Sequence, residues 1–406
     1  MNKKFTFILL TVLMSYCSFA QRYQQKVFDS VQVVSNIQYG FNYDCVDTPT
    51  NLYLDIYKPF GDTAHNRPLI VLAHGGSFIQ GSRSSSDMQA ICKHLASRGY
   101  VVASFDYRLK INFNSGNTIQ KEFSQAVWRG VQDGRAAIRY FRKGIATGNA
   151  LQIDNNNIYT GGVSAGGVLG LQLAFLDTYA EFSQLGLDTS FIGGIEGNSG
   201  NPGYSWRVKG VISLCGALSN TAWMNNNKNV TICNMHGTND NTVPYKTNYF
   251  KFAGVNVAFL QGGFSVDSAA RKQSMDSRLY TFYGADHVPF VGNALYMDTT
   301  LKYVTGYLYN QVTGLIPLAV RETINTNPPS FTLYPNPATS SVTVSLNSAI
   351  SEPYTVALID MCGKLLNQYT SADNTIELNT SYLSAGFYFI KVSSERHTAI
   401  QRLIIH

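Results

Sequence analysis

Apolar positions recur along this chain in two rhythms, and the change from one to the other divides it. From about residue 31, VQVVSNIQYGFNY and NLYLDIYKP alternate as β segments. The apolar runs RPLIVLAHGG, YVVASFDYRL, NIYTGGVS, VKGVISLCGAL, VTICNMHG and RLYTFYGADH read as further strands. Helical patterns fall between them: over 87–97, over 120–142, from Ala165, near Lys246, and over 295–308. In the second of these, Phe123, Val127, Val131, Ile138 and Phe141 stand near helical spacing. Apolar strands alternating with helices predict an α/β fold, a mainly parallel sheet flanked by helices on both faces. A glycine-rich stretch over 185–206 interrupts the rhythm and reads as an insertion.

The helical period stops near residue 313. Residues 313–330 carry Ile316-Pro317 and Asn327-Pro328-Pro329 and read as a linker. Beyond it FTLYPNPA, SVTVSLN, YTVALIDMCGKLL, TIELNT and GFYFIKVSS alternate as short strands, which predicts a small all-β sandwich domain over 331–406. This tail resembles the C-terminal sorting domain of the type IX secretion system. The resemblance rests on Leu333-Tyr334-Pro335-Asn336-Pro337, Gly363-Lys364, Gly386-Phe387-Tyr388-Phe389-Ile390-Lys391-Val392 and Gln401-Arg402-Leu403-Ile404-Ile405. It implies a partner, the type IX machinery, and delivery across the outer membrane to the cell surface or beyond. The start of the chain agrees with export. Lys3 and Lys4, the apolar run from Phe5 to Met14 and the small residues Ser18 and Ala20 form a secretory signal over 1–20. The catalytic domain is then expected over 21–312.

Composition narrows the function classes. Charged residues are 14% of the chain, where about 25% is usual. The balance is 31 basic against 25 acidic residues, and no Lys/Arg run of the kind that grips phosphates occurs. A nucleic-acid binder is therefore not expected. Cysteine is sparse. Cys45, Cys92, Cys215 and Cys233 stand in the expected catalytic domain, where Cys215–Cys233 or Cys45–Cys92 bridges and buried free thiols are both open.

The chemistry-bearing residues lie at strand ends. Gly162-Val163-Ser164-Ala165-Gly166 sits where a strand gives way to a helix. A GxSxG pattern is a weak signal alone in a chain with 34 glycines, but this context is the one a nucleophilic serine needs. Small neighbours allow a sharp corner that lifts the hydroxyl, and the Ala165 N–H then points at an attacked carbonyl. His74-Gly75-Gly76-Ser77-Phe78 ends an earlier strand, and a second oxyanion donor is expected among Gly75, Gly76 and Ser77. A serine hydroxyl needs a base. Of seven histidines, His65, His74 and His94 precede Ser164, and His397 and His406 lie in the tail. His236 ends a strand and is read as ordering its turn, which leaves His287 as the base. Asp240, in His236-Gly237-Thr238-Asn239-Asp240, is the orienting acid, with Asp286 and Glu196 as rivals.

Together these residues resemble the α/β-hydrolase superfamily, nearest to carboxylesterases and acyl-carbohydrate esterases with an HGG loop and a GxSAGG elbow. The likeness spans about 45–310 and includes Tyr53-Leu54-Asp55-Ile56-Tyr57-Lys58-Pro59 and the run from Gln132 to Arg142. It implies a Ser164–Asp240–His287 triad acting on carboxylic esters, with no metal and no organic cofactor. The substrate implied is a small-molecule ester, an acylated polysaccharide or a polyester. A prolyl-oligopeptidase-like peptidase and a non-catalytic surface binding protein on a hydrolase fold are the alternatives. Residues 193–206 and 261–271 are expected to shape the pocket.

Overall fold

The computed structural model describes residues 22–187, 193–252, 254–315, 331–346, 354–360, 365–393 and 398–406. The expected signal segment, most of the expected linker, and Cys17 and Cys362 lie outside them. The chain separates into two compact units, Met1–Pro317 and Leu318–His406.

The first unit is built on an eight-stranded sheet. Its strands are β1 (Val31–Tyr43), β2 (Pro49–Pro59), β3 (Arg67–Ala73), β4 (Val101–Phe105), β5 (Ile153–Val163), β6 (Gly210–Leu214), β8 (Thr231–Gly237) and β11 (Ser277–Phe282), in the spatial order β1-β2-β4-β3-β5-β6-β8-β11. β1–β2 and β2–β4 pair antiparallel, and every later pair is parallel. The strands in the middle are apolar throughout because both faces are covered. β3 is buried at every residue, with Leu69, Val71 and Ala73 in one core and Ile70 and Leu72 in the other. Helices α1 (Ser86–Ala96) and α6 (Ala294–Thr313) pack on the second face through Ile91, Leu95, Val304 and Leu308. Helices α2 (Ile119–Ala146), α3 (Ala165–Phe175) and α5 (Gly263–Lys272) pack on the first through Phe123, Trp128, Leu169, Leu173 and Val266. A short helix, α4 (Tyr179–Ser183), follows α3 and is closed by a Thr178–Glu181 capping box.

Two readings of the pattern are corrected here. The helix expected near Lys246 is a β-hairpin, β9 (Thr247–Phe252) and β10 (Val255–Gly262), which joins β7 (Ala217–Leu218) in a separate three-stranded sheet. The apolar period there is two. Phe250, Val257 and Leu260 are buried, while Tyr249 and Phe259 pair across the ladder on the exposed face. The run VKGVISLCGAL is two strands rather than one, because Cys215 turns to φ +55° after β6. Cys45, Cys92, Cys215 and Cys233 are all free thiols, so neither candidate bridge forms.

The insertion is anchored to α2 by buried charge. Arg108 donates from Nε to Asp133 Oδ1 and Oδ2 at 3.0 and 2.9 Å, and Asp133 Oδ1 also accepts from Ser199 Oγ at 2.6 Å. Arg108 further donates to the Tyr43 carbonyl at 3.0 Å, which ties in the end of β1. Arg139 holds the Gly200 carbonyl at 3.0 and 3.1 Å. Arg135, lowered by burial to about 9, donates to the Ile195 and Leu176 carbonyls and stacks 3.7 Å from the Trp206 ring. The glycines of this stretch let its carbonyls turn toward the arginines.

The second unit is a two-layer antiparallel sandwich. One sheet runs β12 (Phe331–Tyr334), β13 (Ser341–Leu346), β16 (Thr375–Asn379), and the other β15 (Leu365–Ser371), β14 (Tyr354–Ile359), β17 (Gly386–Ser393), β18 (Thr398–Ile405). One core unites them, with Val342, Val344 and Leu378 facing Val356, Leu358, Ile390, Val392 and Leu403.

Asp133 is 0% exposed and answers Arg108. Asp133→Ala leaves that guanidinium buried and unpaired, and is expected to cost about 3–5 kcal/mol in urea unfolding of the full chain. A loss below about 1 kcal/mol, the range of exposed ion pairs, would contradict the anchoring role.

Candidate active site

In an open parallel sheet, loops at the carboxyl ends of the strands converge on one crevice. Four such loops meet here, after β3, β5, β8 and β11. At the end of β5 the chain turns within one residue, and Ser164 takes φ +54°, ψ −115°, before α3 begins at Ala165. The corner is tight because Gly162 and Gly166 both press on the Ala73 carbonyl of β3, where a Cβ on either would collide with that oxygen. A non-glycine residue held in the left-handed region costs about 1–3 kcal/mol, supplied by the packing around it.

The corner aims Ser164 Oγ at His287. Oγ lies 2.7 Å from Nε2, and His287 Nδ1 lies 2.7 Å from Asp240 Oδ2. His287 comes from the loop after β11 and Asp240 from the loop after β8. Asp240 is fully withdrawn from solvent. Burial pushes its carboxyl up, but hydrogen bonds from His236 and His287 outweigh burial and bring it down to about 2. Its Oδ1 accepts the Thr242 and Val243 N–H groups at 2.9 and 2.8 Å. Asp286 turns elsewhere, accepting the backbone N–H of Asn241 and of His287 itself. Glu196 stays in the insertion, exposed and bonded to Trp206 Nε1.

The loop after β3 is braced from below. His74 is buried, donates from Nδ1 to the Gly75 carbonyl at 2.6 Å and stacks on Tyr107 at 4.5 Å. Gly76, Ser77 and Phe78 all take positive φ, and at Gly76 a Cβ would strike the Gln80 carbonyl. Arg83 locks the loop to the sheet: its N–H bonds Asp106 at 2.7 Å, its Nε bonds Asp55 at 2.9 Å, and its Nη1 pairs with Asp106. Of the four expected oxyanion donors, Ser77 and Ala165 border the cleft beside Ser164. Gly75 packs behind the serine, and Gly76 is not among the lining residues. As the first helical residue, Ala165 has an N–H with no partner inside its helix.

The cleft itself is apolar. It occupies about 220 Å³, open mouth included, and is walled by Phe78, Phe123, Val168, Val243, Phe250 and Leu260. Phe123 and Phe250 stack at 4.8 Å. Residues 193–206 do not line it, because the arginines of α2 hold them elsewhere, and from the 261–271 stretch no residue lines it either; the wall stops at Leu260. Strand alternation in the hairpin was the signal that could have found Phe250 and Leu260. Among the described residues, Cys215, Asp240 and His287 alone bring metal-type donor atoms within 4.8 Å of one another. The Asp240 and His287 atoms already bond each other, and burial beside Asp240 pushes the Cys215 thiol up to about 12.

The BD-FAE family model matches residues 54–231, and a secretion system C-terminal sorting domain matches 332–406. The first match covers the β3 loop and Ser164 but ends before Asp240 and His287. The chain is 36% identical over 121 residues to the pyrethroid hydrolase Ces2a of Mus musculus, covering 29% of this chain and 19% of that one. It is 34% identical over 85 residues to the gibberellin receptor GID1B of Arabidopsis thaliana, covering 17% and 24%. The chain thus spans less than a quarter of the length of either relative. Among solved structures, Thermogutta terrifontis esterase 2 phosphorylated by paraoxon is similar at 22% identity and TM-score 0.49, covering 71% of this chain and 97% of that one. The propionate-bound form has TM-score 0.46 over the same coverage.

The lowered Asp240 carboxyl has a consequence for stability. A carboxylate depressed in the folded state stabilises the fold above its unfolded value, near 3.8, and loses that contribution as pH falls through about 2. Wild type is expected to lose about 2 kcal/mol more than Asp240→Asn between pH 5 and pH 2, measured by urea unfolding. Parallel pH curves for the two proteins would contradict this.

Proposed function

We propose that this chain, an α/β-hydrolase with a BD-FAE domain over 54–231 and a type IX secretion sorting domain over 332–406, is a secreted serine esterase. The sorting domain directs it to the cell surface or the extracellular space. The parts are a signal over 1–20, a catalytic domain over 21–312, a linker over 313–330 and the sorting domain over 331–406. The observation that carries the reading is the hydrogen-bonded line from Ser164 Oγ to His287 Nε2 and from His287 Nδ1 to Asp240 Oδ2, each 2.7 Å.

In this reading Ser164 Oγ attacks the ester carbonyl while His287 Nε2 takes its proton. Asp240 stays ionised, holds the imidazole tautomer and stabilises the imidazolium. The oxyanion rests on the Ala165 N–H and on the 75–77 loop, with Ser77 the donor nearest the cleft. Removing one such donor typically costs about 3 kcal/mol, roughly 100-fold in rate. The imidazolium then protonates the departing alcohol, leaving an acyl group on Ser164. Water, deprotonated by His287, attacks the acyl carbonyl; the Oγ–acyl bond breaks, His287 returns the proton to Ser164 Oγ, and the acid departs. The cleft's apolar walls favour a short acyl chain, and the alcohol side leaves toward solvent. That suits acetylated carbohydrate as well as small esters.

A second reading is a binding protein on the same fold, favoured by the likeness to a gibberellin receptor. The two separate on one substitution. Ser164→Ala is expected to abolish fluorophosphonate labelling and to lower kcat for p-nitrophenyl acetate by on the order of 10⁶-fold. Retained labelling would refute the assignment of Ser164, and an unlabelled wild type would favour the binding protein. Phe250→Ala opens the end of the cleft and is expected to raise kcat/KM for hexanoate relative to acetate esters about tenfold, since a methylene is worth about 1–3 kcal/mol in such a pocket. An unchanged chain-length profile would place the acyl group elsewhere.

A further inference from the structure

His236 was read from sequence as a residue that orders its turn. In the structure it is buried at the end of β8 and shares an oxygen with His287. Its Nε2 lies 3.1 Å from Asp240 Oδ2, the same atom that His287 Nδ1 approaches at 2.7 Å. The tautomer follows from its other nitrogen. The Gly263 N–H, at the start of α5, donates to His236 Nδ1 at 3.3 Å. Nδ1 is therefore the acceptor, and Nε2 carries the proton, hydrogen-bonded to the Val243 carbonyl at 3.1 Å with Asp240 Oδ2 equally near.

We propose that His236 is a positioning residue for the esterase reaction, its Nε2–H fixing the rotation of the Asp240 carboxylate so that Oδ2 is presented to His287. The proposal rests on the serine-esterase reading above. Four donors then hold one carboxylate: two imidazoles on Oδ2 and two backbone N–H groups on Oδ1. Three of them come from β8 and its turn, and the fourth, His287, comes from the loop after β11. His236 is itself held, by Gly263 on one side and by the Tyr245 ring, edge-on at 5.8 Å, on another. The other titratable groups facing Asp240 are the Cys215 thiol and the Asp286 carboxylate.

The test uses the full-length protein with His236→Phe, which keeps a ring and removes the donor, and His236→Gln, which keeps an N–H at similar reach. The Phe variant is expected to fold, to lose roughly 10- to 100-fold in kcat with KM unchanged, and to lose less stability than wild type between pH 5 and pH 2. The Gln variant is expected to recover most of the lost kcat. Wild-type kcat in the Phe variant, or equal loss in two folded variants, would overturn the proposal. Should the Phe variant fail to fold, Gln is compared with His236→Asn, too short to reach Oδ2: recovery in Gln alone supports the role, and equal activity rejects it. Fluorophosphonate labelling of the wild type is read in parallel. If Ser164 is not labelled, it is the esterase reading that fails, whatever the His236 variants do.

Discussion

A charge removed from water must be answered by the groups around it, and in the first unit that demand converges on Asp240. The carboxylate is buried yet ionised, because three hydrogen bonds and the His236 imidazole 3.1 Å away replace its hydration. Those donors come from three places: its own turn after β8, the end of β8 itself, and the loop after β11. Satisfying one buried charge therefore sets the relative positions of two strand-end loops. Ser164, forced into its corner by the Ala73 carbonyl, is then met by an imidazole already in place. The site is rigid for the same reason that it is paired.

Much of this was legible because the relevant physics is local in sequence. A glycine on either side of Ser164 announces a turn too tight for side chains. Runs such as VTICNMHG announce strands covered on both faces, and the residues at their ends had to be the reactive ones in an open parallel sheet. What escaped has non-local causes. The 247–262 hairpin was taken for a helix because its aromatic residues alternate only after a polar lead-in, and their burial depends on α2, over a hundred residues earlier. Phe250 and Leu260 reach the cleft from that hairpin, so no spacing in the chain ties them to Ser164. The sequence marks His236 only as a residue that ends a strand and orders its turn. The bend that brings it back onto Asp240, four residues on, is set by Thr242, Val243 and Gly263.

The insertion before β6 teaches the opposite lesson. Glycine-rich segments near a reactive serine invite a role in the pocket, yet this one is occupied by structure. Arg108, Arg135 and Arg139 on or beside α2 spend their donors on its carbonyls and on Ser199 through Asp133. Low overall charge and a few deeply buried guanidinium groups are compatible here, since Arg135 and Arg139 are answered mainly by backbone carbonyls and Arg108 by the buried Asp133.

The hairpin leaves and rejoins the sheet layer at nearly one point: the Gly262 N–H bonds the Lys246 carbonyl at 2.9 Å, and the Phe264 N–H bonds the Tyr245 carbonyl at 3.0 Å. Everything between those closures is an excursion whose ends stay fixed whatever its middle contains. One wall of the cleft thus sits on a self-closed hairpin, while Ser164, His287 and Asp240 sit on loops at the ends of the parallel strands. Changing the hairpin's length or side chains would then reshape that wall and leave the Ser164–His287–Asp240 line in place.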